Sequence, residues 1–167
     1  MKLVREHINE ANFKDIIKPL SQEEVLDKIS HLSQEEKNER LIHAAASNNI
    51  KLVELLLQTG ADINYKNIFG NNALLWASSM GYTNEVKILI KAGANINIKN
   101  HNGWNALMFA IQNGRKDAAK LLLKAGININ AKTNNGDTAL MLASHINDKE
   151  MIDLLKKYGA KYPWTQP

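Results

Sequence analysis

Apolar positions along this chain come as pairs of short helical runs, and each pair recurs after a fixed interval. The stretch from Gly70 to Asn97 reappears 33 residues later from Gly103 to Asn130, and a further copy opens at Gly136. In that register Leu41, Leu74, Leu107 and Leu140 share one column, and Ala44, Ala77, Ala110 and Ala143 share another. An alanine column is expected where a short first helix must approach its neighbours closely, because a larger side chain would push the stack apart. The second helix supplies Leu55-Leu56-Leu57, Ile88-Leu89-Ile90 and Leu121-Leu122-Leu123, whereas the last unit reads Leu154-Leu155-Lys156. A lysine in the third place suits a terminal unit whose outer face meets water. A period of this length predicts a solenoid, in which each unit buries its apolar face only against its neighbours.

Turn chemistry keeps the same register. Gly81 and Gly114 fall between the two helices, with Asn48 and Asn147 in that column at the ends, as a turn with positive φ demands. Gly60, Gly93, Gly126 and Gly159 close the second helices. The segments that follow, such as Ala61-Asp62-Ile63-Asn64 and Ala94-Asn95-Ile96-Asn97, alternate apolar and polar residues and predict half-buried hairpin arms. Residues 1–35 do not repeat. Ser21-Gln22-Glu23-Glu24 and Ser33-Gln34-Glu35-Glu36 each carry the pattern of a capped helix start. Pro19 ends any helix through Phe13, Ile16 and Ile17. Leu20, Val25, Leu26, Ile29 and Leu32 then give an apolar face at helical spacing, read as an N-terminal cap over the first unit. The expected organisation is a helical cap over 1–35, units at 36–66, 67–99, 100–132 and 133–162, and a tail at 163–167 in which Trp164 lies over the last unit.

Composition narrows function more than it narrows fold. The chain has 167 residues, no cysteine and a net charge of +4. Disulfides and thiolate metal sites are thereby excluded, and the lack of cysteine fits a cytoplasmic setting, the cell's own or, for a secreted effector, a host's. No apolar run is long enough for a membrane span, and charge near the N-terminus leaves no room for a signal peptide's apolar stretch. Residues 1–38 carry six basic and eight acidic side chains, residues 39–167 fifteen and nine. Asparagine, lysine and isoleucine together make up a third of the chain, read here as codon bias rather than chemistry. No phosphate loop, zinc-protease or nucleophile-elbow motif is present, and the five histidines show no ligand spacing. His101 and His145 could come near each other across adjacent units and are read as contact residues rather than a metal pair. No cofactor is implied, and the expectation is a non-enzyme.

The three glycine columns, the alanine column and the leucine column resemble the ankyrin repeat, whose core pattern is G-x-T-P-L-H-x-A-A followed by a second helix and G-A-D-x-N. Here the T-P-L-H stretch reads Asn72-Ala73-Leu74-Leu75, Asn105-Ala106-Leu107-Met108 and Thr138-Ala139-Leu140-Met141, so its proline and histidine are missing. The resemblance implies an all-α solenoid of four repeats behind a helical cap, acting as a monomeric protein–protein interaction module. It also implies a concave face made of loop tips and the exposed side of each first helix. Around Gly70 that face is Ile68, Phe69, Asn71, Ser79 and Met80. Around Gly103 it is His101, Asn102, Trp104, Gln112 and Asn113. Around Gly136 it is Asn134, Asn135, Asp137, His145 and Ile146.

Large apolar groups rimmed by amides suggest that Phe69, Met80 and Trp104 anchor a protein or peptide partner. The competing reading is that Phe69 and Trp104 brace neighbouring loop tips. Two lysine columns also keep register, Lys66, Lys99 and Lys132 at the loops and Lys91, Lys124 and Lys157 at the helix ends. The helix-end row suits the helix dipole, while the loop row has no such direct explanation and could steer a polyanion. Against nucleic acid stand the three arginines and the absence of any reading motif.

Overall fold

The computed structural model describes residues 21–162, and helices account for nearly all of its regular structure. In chain order these are α1 (Gln22–Ser30), α2 (Gln34–Ala46), α3 (Ile50–Gln58), α4 (Ala73–Met80), α5 (Thr83–Lys91), α6 (Ala106–Gln112), α7 (Lys116–Lys124), α8 (Ala139–His145) and α9 (Lys149–Lys157). From α2 onward they form four antiparallel pairs. The first helices α2, α4, α6 and α8 pack side by side in an inner row, and each second helix packs on its own first helix. The result is the expected α-solenoid. The segment around Phe13 and the lid expected of Trp164 lie outside the described residues.

The leucine and alanine columns are buried throughout, which lets the inner helices meet at close range. Helix starts are set by short side chains. Asn72, Asn105 and Thr138 occupy the N-caps of α4, α6 and α8, each accepting from the backbone N–H three residues on at 3.0, 3.0 and 3.3 Å. Ser21 and Ser33 close reciprocal capping boxes with Glu24 and Glu36, and those hydrogen bonds hold both carboxyls below the usual carboxylate range. Helix ends follow the predicted turn chemistry. Asn48 and Asn147 take φ of 56°, where Gly81 and Gly114 take 81° and 66°. Helix α1 lies on α3 and contributes Val25 and Ile29 to the common core. At the far end, Lys116 reaches Asp148 and Glu150 and Lys120 reaches Glu150, so the last two outer helices are linked by charge.

The hairpin arms expected from apolar/polar alternation do not form. Among the described residues the loops contain no strand, only an isolated bridge between Lys132 and Thr138. Short side chains of aspartate and asparagine are the reason. Asp62, Asn95 and Asn128 each accept from the N–H two residues on, at 2.9, 3.0 and 3.1 Å, which curls the backbone into a turn instead of leaving it extended. A second asparagine in each loop then crosses to the next. Asn64 accepts from the N–H of Asn95, Asn97 from that of Asn128 and Asn130 from that of Lys161, at 2.8, 2.8 and 3.0 Å. At the other end Asn38 of α2 takes the N–H of Asp62 at 2.7 Å. Codon bias is therefore an insufficient account of the asparagine content, since these side chains tie one unit to the next.

Candidate functional site

Hydrogen bonds run from unit to unit along the loop tips and, in a second row, along the C-terminal ends of the inner helices. Asn67 and Asn100 each fold a tip by accepting two backbone N–H groups, from Phe69 and Asn71 and from Asn102 and Trp104, at 2.9–3.1 Å. Thr133 does this work in the last tip by accepting from the N–H of Asp137. Adjacent tips are stitched directly. The N–H of His101 donates to the carbonyl of Phe69 at 3.3 Å, and that of Asn134 to the carbonyl of Asn102 at 3.0 Å. The side chain of Asn134 donates to the carbonyl of His101, and that of Asn100 to Asn71. Where the inner helices end, Asn113 donates to the Ser79 hydroxyl at 3.1 Å and Arg115 to the Ser79 carbonyl at 3.2 Å.

Residues singled out from sequence fall into two hydrogen-bonded rows. Phe69, Asn71, His101, Asn102 and Asn134 lie on one stitched ribbon, with Ser79 and Asn113 joined beside it. Gln112, Asn135, His145 and Ile146 are exposed on the same set of tips and helix ends, and Asp137 and Ser79 are half-buried. The most exposed apolar groups are neighbours, Ile68 at 78 % and Phe69 at 63 %, in the second unit, which also carries Met80 at 37 %; Ile146 at 39 % and Tyr158 at 40 % are exposed in the last unit.

Trp104 departs from expectation. It is half-buried and stands against the core, with its ring 5.4 Å from that of Phe109 and tilted by 45°. Phe109 sits one turn into α6, so the indole is backed by its own unit. The 33-residue register places Phe109 in the column of Trp76, a signal that an aromatic belongs there, although the sequence does not reveal that it would hold Trp104.

The loop lysines depart as well. Lys66 donates through Nζ to the carbonyl of Lys99 at 2.7 Å, and Lys99 to that of Lys132 at 2.9 Å. The row therefore has a direct structural use as a cross-link between units, while Lys91, Lys124 and Lys157 remain exposed at the helix ends. Among the described residues no group of three or more histidine, aspartate or glutamate side chains could hold a metal ion, and no helix is long and apolar enough to cross a membrane.

No curated protein matches the chain. A family model described as "Ankyrin repeats (3 copies)" matches residues 8–100, 41–133 and 86–165. Those matches run over the helix pairs and the stitched tips between them, and the chain belongs to the ankyrin repeat family, whose members are generally protein–protein interaction modules.

Proposed function

We propose that the protein is a non-catalytic recognition module that holds a protein or peptide partner across its loop tips and inner-helix ends. The observation that carries this reading is the strong exposure of two adjacent large apolar side chains, Ile68 and Phe69, at the tip of the second unit, whose first helix ends in the exposed Met80. A folded chain has no packing reason to leave such neighbouring side chains in water, and patches of this kind mark interaction sites. Phe69 is the anchor because it is large, exposed and held at a tip whose backbone is already fixed by Asn67. A preordered aromatic loses little freedom on binding. Trp104, half-buried and packed on Phe109, keeps part of its surface available in the next tip.

Affinity capture with the natural chain and with Phe69→Ala, followed by titration of whatever partner is retained, tests the reading. Truncation of the anchor is expected to cost on the order of 2 kcal/mol of binding, about a thirtyfold loss of affinity. The exposed side chain leaves folding stability unchanged. Equal affinity in the two proteins would overturn the assignment, and a loss of stability with unaltered binding would make Phe69 a brace between tips.

A further inference from the structure

Glu85 occupies the third position of α5 with 0 % of its surface exposed, and neither carboxyl oxygen has a hydrogen-bond partner. The 33-residue register puts Leu52, Ala118 and Met151 in the same column, all of them buried. Every other helix pair therefore uses this position for packing, and only the second places an ionisable group there. The same pair also leaves Asn72 Nδ2, Trp76 Nε1 and Ser78 Oγ buried without partners. Unsatisfied polar atoms are rare in folded chains, and this clustering within one unit makes it the least satisfied part of the described stack.

No side chain pairs with the carboxylate, and the partial positive charge of the α5 N-terminus, in whose first turn it sits, is the one favourable feature beside it. Helix α4, packed against α5, carries no titratable side chain. On α7, the other helix packed against it, Lys116 and Lys120 are turned to Asp148 and Glu150, and Asp117 and Lys124 are exposed. Lys51 and Glu54 on α3 are exposed, as are Lys87 and Lys91 on α5 itself. Burial alone raises the Glu85 pKa to about 7.

We propose that the α4–α5 pair is a proton-controlled weak point, closed while Glu85 keeps its proton and opening locally when the carboxyl gives it up. An ionised carboxylate without a partner is costly to bury, and hydrating it requires α5 to leave its neighbours. A stack held only by nearest-neighbour contacts can open one unit while the others stay folded. Opening also hydrates the three other orphaned groups. The weak point adjoins the apolar cluster, since Met80 ends α4 and Phe69 lies in the loop that leads into it.

The sign follows from the two pKa values. The closed form binds the proton more tightly than an exposed glutamate, whose value is 4.5, so the stabilisation is complete below that value. It is lost as pH rises toward the closed-form value of about 7 and is constant above it.

Hydrogen–deuterium exchange with mass spectrometry tests this, read as protection corrected for the intrinsic rate at each pH. Between about pH 5 and about pH 8, protection of residues 73–91 is expected to fall on the order of 50-fold more than that of residues 106–124 in the same sample. Glu85→Gln, neutral at both values, is expected to remove this excess loss, and Glu85→Leu to remove it and raise protection throughout. An equal fall in both units of the natural chain would overturn the proposal, as would an excess that persists in Glu85→Gln.

Discussion

Alanine at Gly103 is expected to destabilise the stack by about 3 kcal/mol, and alanine at Gly126 by only about 1 kcal/mol. Both glycines have positive φ, +79° and +83°, so both substitutions carry the cost of a left-handed backbone. They differ in what the added methyl group meets. At Gly103 a Cβ would stand 2.7 Å from the backbone nitrogen of Asn134 and 3.0 Å from the carbonyl carbon of Thr133. That nitrogen donates the bond to the Asn102 carbonyl that seats the next tip, and backbone cannot rotate aside as a side chain can. At Gly126 there is nothing within 4 Å. Denaturant midpoints for the two variants measure the difference, and equal losses would show that the tips can separate without cost.

Leu107→Ala is expected to cost about 3–4 kcal/mol and to lower the melting temperature by roughly 10 °C. Leu107 is fully buried on α6, which packs against α4 on one side and α8 on the other. A cavity at that point weakens two interfaces at once. In a stack held by nearest-neighbour contacts the variant is also expected to broaden the transition, as the two ends begin to unfold separately. Calorimetry reads both effects, and a sharp transition with an unchanged midpoint would contradict them.

The helix pairs were legible in the sequence because burial repeats there. Leu74, Leu107 and Leu140 do the same work in successive units, and a recurring environment leaves a recurring residue type. The helix turns were legible for a related reason, since Asn48 and Asn147 stand in for glycine only where φ is positive. What stayed hidden depends on bonds that span units. Nothing local to Asn64 says that its side chain reaches the N–H of Asn95, and nothing local to Lys66 says that its ammonium ends on the Lys99 carbonyl.

The loops misled for a similar reason. Alternation of apolar and polar residues signals strand only when the polar side chains stay out of the backbone's hydrogen bonding, and here Asp62, Asn95 and Asn128 enter it. The tips themselves are legible because glycines with positive φ mark them, but no local signal shows that Trp104 packs on Phe109. Glu85 could have been found earlier. Its column otherwise holds leucine, alanine and methionine, and one charged residue among apolar ones is a visible anomaly.

The asparagine rungs make the length of this protein an adjustable quantity. Each rung asks only for a backbone N–H at a set place in the following unit, and that place is filled by Asn95, by Asn128 and by Lys161 alike. A chain spliced from Lys99 straight to Thr133 would present Asn97 with the N–H of Lys161 where Asn128 had been. Duplication or excision of a 33-residue segment thus leaves each of these asparagine rungs with a matching counterpart, so this set of fastenings survives a change in the number of units.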